Sequence, residues 1–290
     1  FPGYEWSGNT GLGGDRNVLF FQEGEPIRRS SHVLVPDLTD LNNDCNSSDD
    51  LFLALKETKT IVFAHVGGRY ADIQSHEGNL ERSVEIHSAW GTFEWLLQDA
   101  LRFGYRVGIV SNSDGHKGRP GASYPGASMF GSYGGLTCIL ARKLTREMIW
   151  ESLLRRHHYA TTGNRMFMDV KVLLKKSGTS FSEDPQLGGN AAESTHVGMM
   201  GDIIRTEENN VTLRIEIISS APIEKLEIRN GLNAFETVRP YKKADLGNRI
   251  RVIWAGAEYR GRGRETVWDG SASIDGNTIK AFTPINLYNL

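Results

Sequence analysis

The sequence has 290 residues, of which 39% are hydrophobic, so it is long enough for one large domain or two ordinary domains with separate cores. Its formal net charge of -2 lacks the basic excess that binding to a phosphate backbone requires, so we expect no nucleic-acid partner. The 2 cysteines are too few for a disulfide scaffold or a thiolate zinc cluster.

The ends and the hydropathy of the chain set further expectations. No run approaches the roughly 18 apolar residues that a membrane span requires, so we expect a soluble protein without a span. The chain begins at Phe1 without an initiator Met or a signal segment, which indicates the interior of a longer protein. The compartment and the oligomeric state are therefore left open.

Helical periodicities and short apolar runs alternate in the first part of the chain. Thr92 and Thr145 can cap two of the helices, and Gly104 can end one of them in a left-handed conformation. Helices are predicted over 48–58, 92–104 and 145–157, and buried strands over 60–65 and 107–110. This alternation predicts an α/β layer or barrel with parallel strands over residues 1–165.

The pattern changes after residue 165. Apolar residues alternate with polar ones between Val211 and Ile217, and Asn230-Gly231 can form a turn between two strand-like runs. Alternation of this kind is typical of antiparallel sheets with one buried face. We therefore predict a second, smaller, β-sandwich-like domain over residues 166–290.

Asp114 and His116 follow the buried strand that is predicted over 107–110. Residues two apart on an extended segment point the same way, and the carboxyl ends of strands are where α/β enzymes form their sites. A carboxylate and an imidazole are suitable ligands for zinc, manganese or iron. The alternative is a turn that begins at Asp114 and leaves His116 exposed.

Three further residues are candidate metal ligands. His65 ends a predicted strand before Gly67-Gly68, although a core histidine with satisfied hydrogen bonds is the alternative. Glu5 lies between aromatic residues, and it must be paired or metal-bound if it is buried. Asp15 precedes a strand-like run and is either a ligand or a loop aspartate.

Four residues are candidates for substrate binding. Glu85 and His87 share one face of a probable strand, so they can line the mouth of the same site. Lys117 and Arg119 follow in a Gly- and Pro-rich loop, where they can neutralise a phosphate or a carboxylate of a substrate. Solvated loop charges are the alternative for Lys117 and Arg119.

Motifs throughout the first 165 residues resemble those of the PHP (polymerase and histidinol phosphatase) superfamily, and within it an uncharacterised group with a C-terminal β domain. The motifs are Gly3-Tyr4-Glu5-Trp6, Gly14-Asp15-Arg16-Asn17-Val18, Ala64-His65, Ser113-Asp114-Gly115-His116, Gly134-Gly135-Leu136-Thr137 and Tyr159-Ala160-Thr161-Thr162-Gly163-Asn164-Arg165. Met200-Gly201 in the β-rich tail is similar as well.

The resemblance implies a distorted (β/α)7 barrel that holds two or three divalent ions at the carboxyl ends of its strands. It implies that Glu5 bridges two ions and that His65, Asp114 and His116 each hold one. Asp15 departs from the pattern because relatives carry a metal-binding His at this place. The family's amino-terminal His-x-His ligands and first strands have no counterpart here, so only a partial barrel is expected.

These observations together predict a metal-dependent hydrolase, and specifically a phosphoesterase that uses a metal-activated water on a small-molecule substrate. Glu5, Asp114 and His116 are the predicted catalytic residues, and Zn, Mn or Fe the predicted ions. The alternative is a non-catalytic binding or structural protein on a degenerate PHP barrel. The Asp at position 15 and the missing first strands favour that alternative.

Overall fold

The computed structural model describes residues 1–119, 121, 129, 132–189, 192–252 and 269–284. Within these ranges the chain forms fourteen β-strands and three α-helices, together with short 3-10 turns. None of these helices is long and apolar enough to cross a membrane.

A six-stranded mixed sheet forms the centre of the first half. β1, β2 and β3 are antiparallel neighbours, β3, β4 and β6 run parallel, and the short β5 pairs with the end of β4. All five residues of β3 are buried, as expected for a central strand that is covered on both faces. The strands are β1 (Gly3–Trp6), β2 (Arg16–Phe20), β3 (Thr60–Ala64), β4 (Ser83–Ser88), β5 (Gly91–Thr92) and β6 (Gly108–Ser111).

Three helices cover this sheet, and all three lie where the sequence predicted them: α1 (Ser48–Leu55), α2 (Glu94–Arg102) and α3 (Arg146–Leu154). A capping box of Ser47 and Asp50 begins α1, and the predicted cap Thr145 begins α3. The predicted cap Thr92 of α2 is wrong, because Phe93 occupies that position and the Thr92 hydroxyl is hydrogen-bonded to His87.

Apart from α3, the elements described from residue 136 onward are mainly antiparallel strands. β7 (Leu136–Ile139) pairs with β8 (His158–Thr161). The long strand β9 (Phe167–Phe181) pairs with β10 (Ala192–Met199) on one edge, while β11 (Ile203–Arg205) and β12 (Thr212–Ile218) share its other edge. β13 (Leu226–Asn230) and β14 (Asn233–Val238) form a separate hairpin, which confirms the predicted turn at Asn230-Gly231.

The predicted (β/α)7 barrel is wrong. Most strands are antiparallel, only β3, β4 and β6 are parallel to one another, and the described strands form separate sheets that do not close into a barrel. The connection from β3 to β4, residues 65–82, contains no helix, whereas a barrel requires a helix after each strand. The alternation of helices and apolar strands is real, but it is limited to part of the first half.

The sandwich-like packing predicted for residues 166–290 is also wrong for the part that the structure describes. A sandwich buries the inner faces of two packed sheets, but Val197 and Leu213 are 49% and 42% exposed. The three clusters of buried hydrophobic side chains all lie within the first 154 residues. Residues 190–191, 253–268 and 285–290 of the predicted domain lie outside the described ranges.

Strand direction brings several chain segments to one edge of the first sheet. The carboxyl ends of β1, β3, β4 and β6 lie at this edge, and so does the beginning of β2, since β2 is antiparallel to β1 and β3. The register pairs Trp6 with Arg16 and Arg16 with Ala64. Glu5, Asp15 and His65 are therefore brought together by neighbouring strands.

Candidate metal centre

Glu5, Asp15 and His65 form a compact group of possible metal ligands. One ligand atom from each residue lies within 4.8 Å of the others. Glu5 lies in β1, Asp15 precedes β2 and His65 follows β3, so three adjacent strands each supply one donor. Two carboxylates and one imidazole form a donor set that suits zinc, manganese or iron.

Burial leaves polar atoms of this group without hydrogen bonds. Asp15 is 0% exposed and His65 is 1% exposed. Within the described ranges, no hydrogen-bond partner is found for Asp15 Oδ1 or for His65 Nδ1. Asp15 Oδ2 accepts a hydrogen bond from the backbone N–H of Arg69 at 2.8 Å, and His65 Nε2 lies 3.6 Å from Glu5 Oε1. Because unpaired buried polar atoms are costly, these atoms fit a site that a cation completes.

Two glycines shape the loops around the group. Gly14 has a φ of 75°, and a side chain there would lie 2.1 Å from the carbonyl oxygen of Tyr70. A Cβ atom at Gly67 would lie 2.9 Å from His65 Nε2 and 3.1 Å from Asp15 Oδ2. The space beside the two buried ligands is thus kept open by the absence of a side chain at position 67.

Asp114 and His116 lie on the segment that follows β6. Both have left-handed backbone conformations, with φ values of 40° and 53°. Such conformations are uncommon outside glycine, although Asp and His adopt them more readily than most residues. His116 Nδ1 lies 3.2 Å from Asp114 Oδ1, the His116 side chain is 46% exposed, and Asp114 Oδ2 is buried. Asp114 thus faces the interior of the site and His116 its exposed side.

The carboxyl groups around His65 titrate abnormally. Burial raises the pKa of Asp114 to about 6, with the charge of Glu5 adding to the effect and that of His65 opposing it. Burial likewise raises the pKa of Glu85 to about 7, against the attraction of His65 and a hydrogen bond from the Asn112 amide. Burial thus favours the neutral forms of both carboxyl groups, and the charge of His65 opposes this effect.

Glu5 and His65 stabilise each other's charged form. The interaction with His65 is the largest cause that lowers the pKa of Glu5, and burial opposes it. Burial works against protonation of His65, but Glu5 and the charges of Glu85 and Asp15 together raise its pKa. Burial also raises the pKa of Asp15. A bound cation would replace the proton on His65 as the partner of these carboxylates.

The predicted substrate-binding residues differ in their placement. Glu85 is buried beside the ligands rather than at an open mouth. His87 Nδ1 lies 2.7 Å from Thr92 Oγ1, and His87 Nε2 lies 2.9 Å from the carbonyl oxygen of Tyr133, so both ring nitrogens have partners within the protein. Lys117 and Arg119 are exposed on the loop after His116. Substrate contact by these four residues stays a prediction.

Several residues around the site were not selected from the sequence. Gly67 closely follows His65 and Asn112 follows β6, but the sequence pattern marks neither of them as a site residue. Arg16 and Glu81 form a buried ion pair, and Arg16 also donates to the Asp15 carbonyl oxygen. The signal that could have identified Arg16 is its charge at the start of a strand whose alternate positions are buried, next to a candidate ligand.

Comparison with known proteins gives a family match over part of the chain and indicates no activity. Residues 112–228 match the model of DUF3604, described as a protein of unknown function. The match includes Asp114 and His116, it continues through the boundary predicted at residue 165, and it begins after Glu5, Asp15 and His65.

Two curated relatives are uncharacterised proteins. One, from Chlamydia pneumoniae, is 27% identical over 226 residues, which cover 67% of this chain and 34% of the relative. Another, from Chlamydia muridarum (strain MoPn / Nigg), is 24% identical over 136 residues, which cover 38% of this chain and 21% of the relative. The aligned part of this chain thus spans about a third of the first relative and about a fifth of the second. No solved structure matches this chain.

Proposed function

We propose that this protein is a metal-dependent hydrolase that acts as a phosphoesterase. The observation that carries the proposal is the group of Glu5, Asp15 and His65, whose ligand atoms lie within 4.8 Å of one another. The choice of phosphate esters rests on the resemblance of the sequence motifs to the PHP superfamily, because a site alone does not define a substrate.

The donor chemistry supports a divalent ion such as Zn, Mn or Fe. Asp114 and His116 lie outside this close group, but their charges act on Glu5 or His65, so we propose that they supply donors to a second or third ion. A divalent ion that binds here would supply a water of lowered pKa and would stabilise negative charge on the attacked phosphoryl group.

The chain's own groups have distinct proposed tasks. Glu5, Asp15 and His65 hold the ion, and Gly67 leaves room beside them. Lys117 and Arg119 lie exposed on the loop after His116, where their positive charge would attract an anionic small-molecule substrate. No partner beyond this substrate is proposed.

A non-catalytic metal-binding protein is the second candidate function. The placement of His116 favours it, because this side chain is 46% exposed and its Nδ1 lies 3.1 Å from the carbonyl oxygen of Asp114. In this arrangement only three donors form a close group within the described chain. Such a protein would retain the ion but would not hydrolyse a substrate.

Hydrolysis of p-nitrophenyl phosphate and bis(p-nitrophenyl) phosphate, before and after metal removal, tests the first candidate. We expect activity that returns with Mn²⁺ or Zn²⁺ and that falls about 100-fold or more in Asp114→Ala, because Asp114 lies beside the charge that develops in the reaction. The matched control is Asp37→Ala, since Asp37 is exposed and accepts hydrogen bonds from Thr39 within its own turn. Equal rates in the parent and in Asp114→Ala would refute the proposal, and bound metal without hydrolysis would favour the second candidate.

A further inference from the structure

A buried ion pair lies next to the candidate ligand Asp15 and is bonded to its backbone. The side chains of Arg16 and Glu81 are both 0% exposed, and Arg16 Nε lies 2.6 Å from Glu81 Oε1. Burial of two charges is costly, and a pair of hydrophobic residues in the same place is often as stable. An ion pair of this kind therefore calls for an explanation beyond stability.

The guanidinium of Arg16 connects the two loops that carry the buried ligands. Nη1 donates to the carbonyl oxygens of Gly13 at 2.5 Å and of Asp15 at 3.3 Å. Nη2 donates to the carbonyl oxygens of Asp72 and Ser75, each at 3.0 Å. Arg16 thus fixes the main chain at Asp15 against the loop that follows His65.

Glu81 and its neighbours fix the direction of the Arg16 side chain. Glu81 Oε2 lies 2.7 Å from His76 Nδ1, and the His76 ring stacks on Tyr105 with 4.0 Å between ring centroids. Both carboxylate oxygens of Glu81 are therefore engaged, one by Arg16 and the other by His76. The guanidinium cannot rotate without breaking this pair and its four hydrogen bonds to backbone carbonyls.

We propose that Arg16 is a positioning residue, which holds the Asp15 carboxylate in ligand geometry beside His65. The inference rests on the proposed metal site, and it adds a residue that touches neither the ion nor the substrate. Lysine cannot replace it, because a single ammonium group cannot reach a carboxylate and four carbonyl oxygens in one plane.

Cobalt substitution tests this role, since the visible absorption of bound Co²⁺ reports the number and geometry of its ligands. In Arg16→Met we expect Co²⁺ affinity about 10- to 100-fold below that of the parent, as for other residues that orient a ligand. The Co²⁺ spectrum should shift toward that of Asp15→Ala. Arg16→Lys keeps a charge opposite Glu81 but loses carbonyl contacts, so its affinity should lie between those of the parent and Arg16→Met.

Arg156→Met is the matched control. Arg156 is also buried and donates to the carbonyl oxygens of Gly201 and Leu154, but it packs against Gly108 at the start of β6, the opposite edge of the sheet. We expect Arg156→Met to lower the melting temperature while the Co²⁺ affinity and spectrum stay those of the parent.

The outcomes distinguish a failure of the positioning role from a failure of the proposed metal site. If the parent binds Co²⁺ and both Arg16 variants keep its affinity and spectrum, the positioning role is refuted while the metal site stands. If Arg16→Met does not fold, Arg16→Lys alone decides the question. If the parent binds no Co²⁺, the proposed metal site fails, and the positioning role fails with it.

Discussion

Gly67 is the residue at which a small change tests the geometry of the site most locally. A Cβ atom there would lie 2.9 Å from His65 Nε2, which is closer than Cβ atoms approach other heavy atoms in proteins. The imidazole or the loop must therefore move. We predict that Gly67→Ala weakens Mn²⁺ or Zn²⁺ binding about tenfold or more in a calorimetric titration, because ligand geometry is disturbed.

Gly68→Ala is the control for this substitution. In Gly68→Ala the added Cβ atom would lie 3.9 Å from Asp15 Oδ2, which is an ordinary van der Waals contact. This substitution removes the same backbone freedom as Gly67→Ala. Gly68→Ala should therefore bind metal as the parent does. Equal affinities in the two variants would show that the space beside His65 is not needed for the ion.

His158 provides a prediction about pH and stability. It is buried, its Nδ1 donates to the carbonyl oxygen of Ile109 at 3.0 Å, and its Nε2 accepts from Ser83 Oγ at 3.0 Å. Burial lowers its pKa from 6.5 to about 4. As the pH falls from 6.5 to 4, His158 becomes protonated in the unfolded chain but stays neutral in the folded chain. The free energy of unfolding therefore falls by up to about 3 kcal/mol.

Urea unfolding at several pH values checks this prediction. Between pH 6.5 and 4, the free energy of unfolding of His158→Gln should decline less than that of the parent. His196→Gln, which removes an exposed histidine, should show the same decline as the parent. Parallel pH profiles of the parent and His158→Gln would contradict the account.

The sequence indicates individual candidate ligands, and their role as metal ligands stays a prediction. His65 and Asp114 were selected because each follows a buried apolar run, and strand direction then brings such residues to one edge. The group of Glu5, Asp15 and His65 required knowledge of which strands are neighbours, and sequence alone does not define that. The network behind Asp15 was missed because Arg16 and Glu81 lie 65 positions apart in the chain.

At the scale of elements, α1 packs against the strands that carry the ligands. Its buried residues Leu51, Phe52 and Leu55 belong to the same cluster as Trp6 and Val18 of β1 and β2. None of the candidate ligands Glu5, Asp15 and His65 belongs to this helix. Its stability should therefore affect the fold more than the ion.

The cap of α1 tests this separation. The Ser47 hydroxyl accepts from the Asp50 N–H at 3.2 Å, and Asp50 Oδ2 accepts from the Ser47 N–H at 3.0 Å. We predict that Ser47→Ala lowers the free energy of unfolding by about 1 kcal/mol with unchanged metal affinity. Thr145→Ala should cost less, because the Thr145 cap of α3 is a single bond of 3.3 Å. Loss of metal binding in Ser47→Ala would contradict this view.

Elements with a strong periodicity were the ones that the sequence predicted well. The three helices and the strands β3, β6 and β12 lie close to their predicted ranges, because spacing of apolar residues is a local property. The direction in which strands pair is not local. The antiparallel pairing of β2 with β3 could not be read from the apolar run of either strand.

At the scale of the whole molecule, the barrel prediction fails because the alternation of helices with parallel strands does not continue through the first 165 residues. β2 and β3, which residues 21–59 connect, pair antiparallel, and β7 and β8 form a separate two-stranded sheet. Pairing between distant segments decided the architecture, and local patterns carry little information about it.

Polar contacts connect the segment before β8 to the β9 sheet. Asp202 Oδ1 lies 2.8 Å from His157 Nε2, and Asp202 Oδ2 accepts from the Met199 N–H at 2.8 Å. The pKa of Asp202 is lowered: burial opposes the shift, but the bond to His157 and the N–H of Met199 outweigh it. The resulting stabilisation is present above the ordinary carboxyl pKa and is lost as pH falls through the lowered value.

Asp202→Asn tests whether this contact stabilises the molecule. We predict a loss of about 1–3 kcal/mol at pH 7, because a charged, mostly buried partner of His157 is replaced by a neutral one. Asp169→Asn is the control, since Asp169 pairs with Lys171 near the surface of β9 and should cost less than about 1 kcal/mol. Equal losses in chemical unfolding would refute the special role of Asp202.

Metal binding by the purified protein, measured as ion content after dialysis and as affinity by calorimetry, tests the central claim most directly. We predict at least one tightly held Zn, Mn or Fe ion per chain and a loss of about 100-fold in affinity when Asp15 and His65 are both replaced by alanine. Protein that holds no divalent ion and shows no binding heat, or a double variant with the affinity of the parent, would contradict the account.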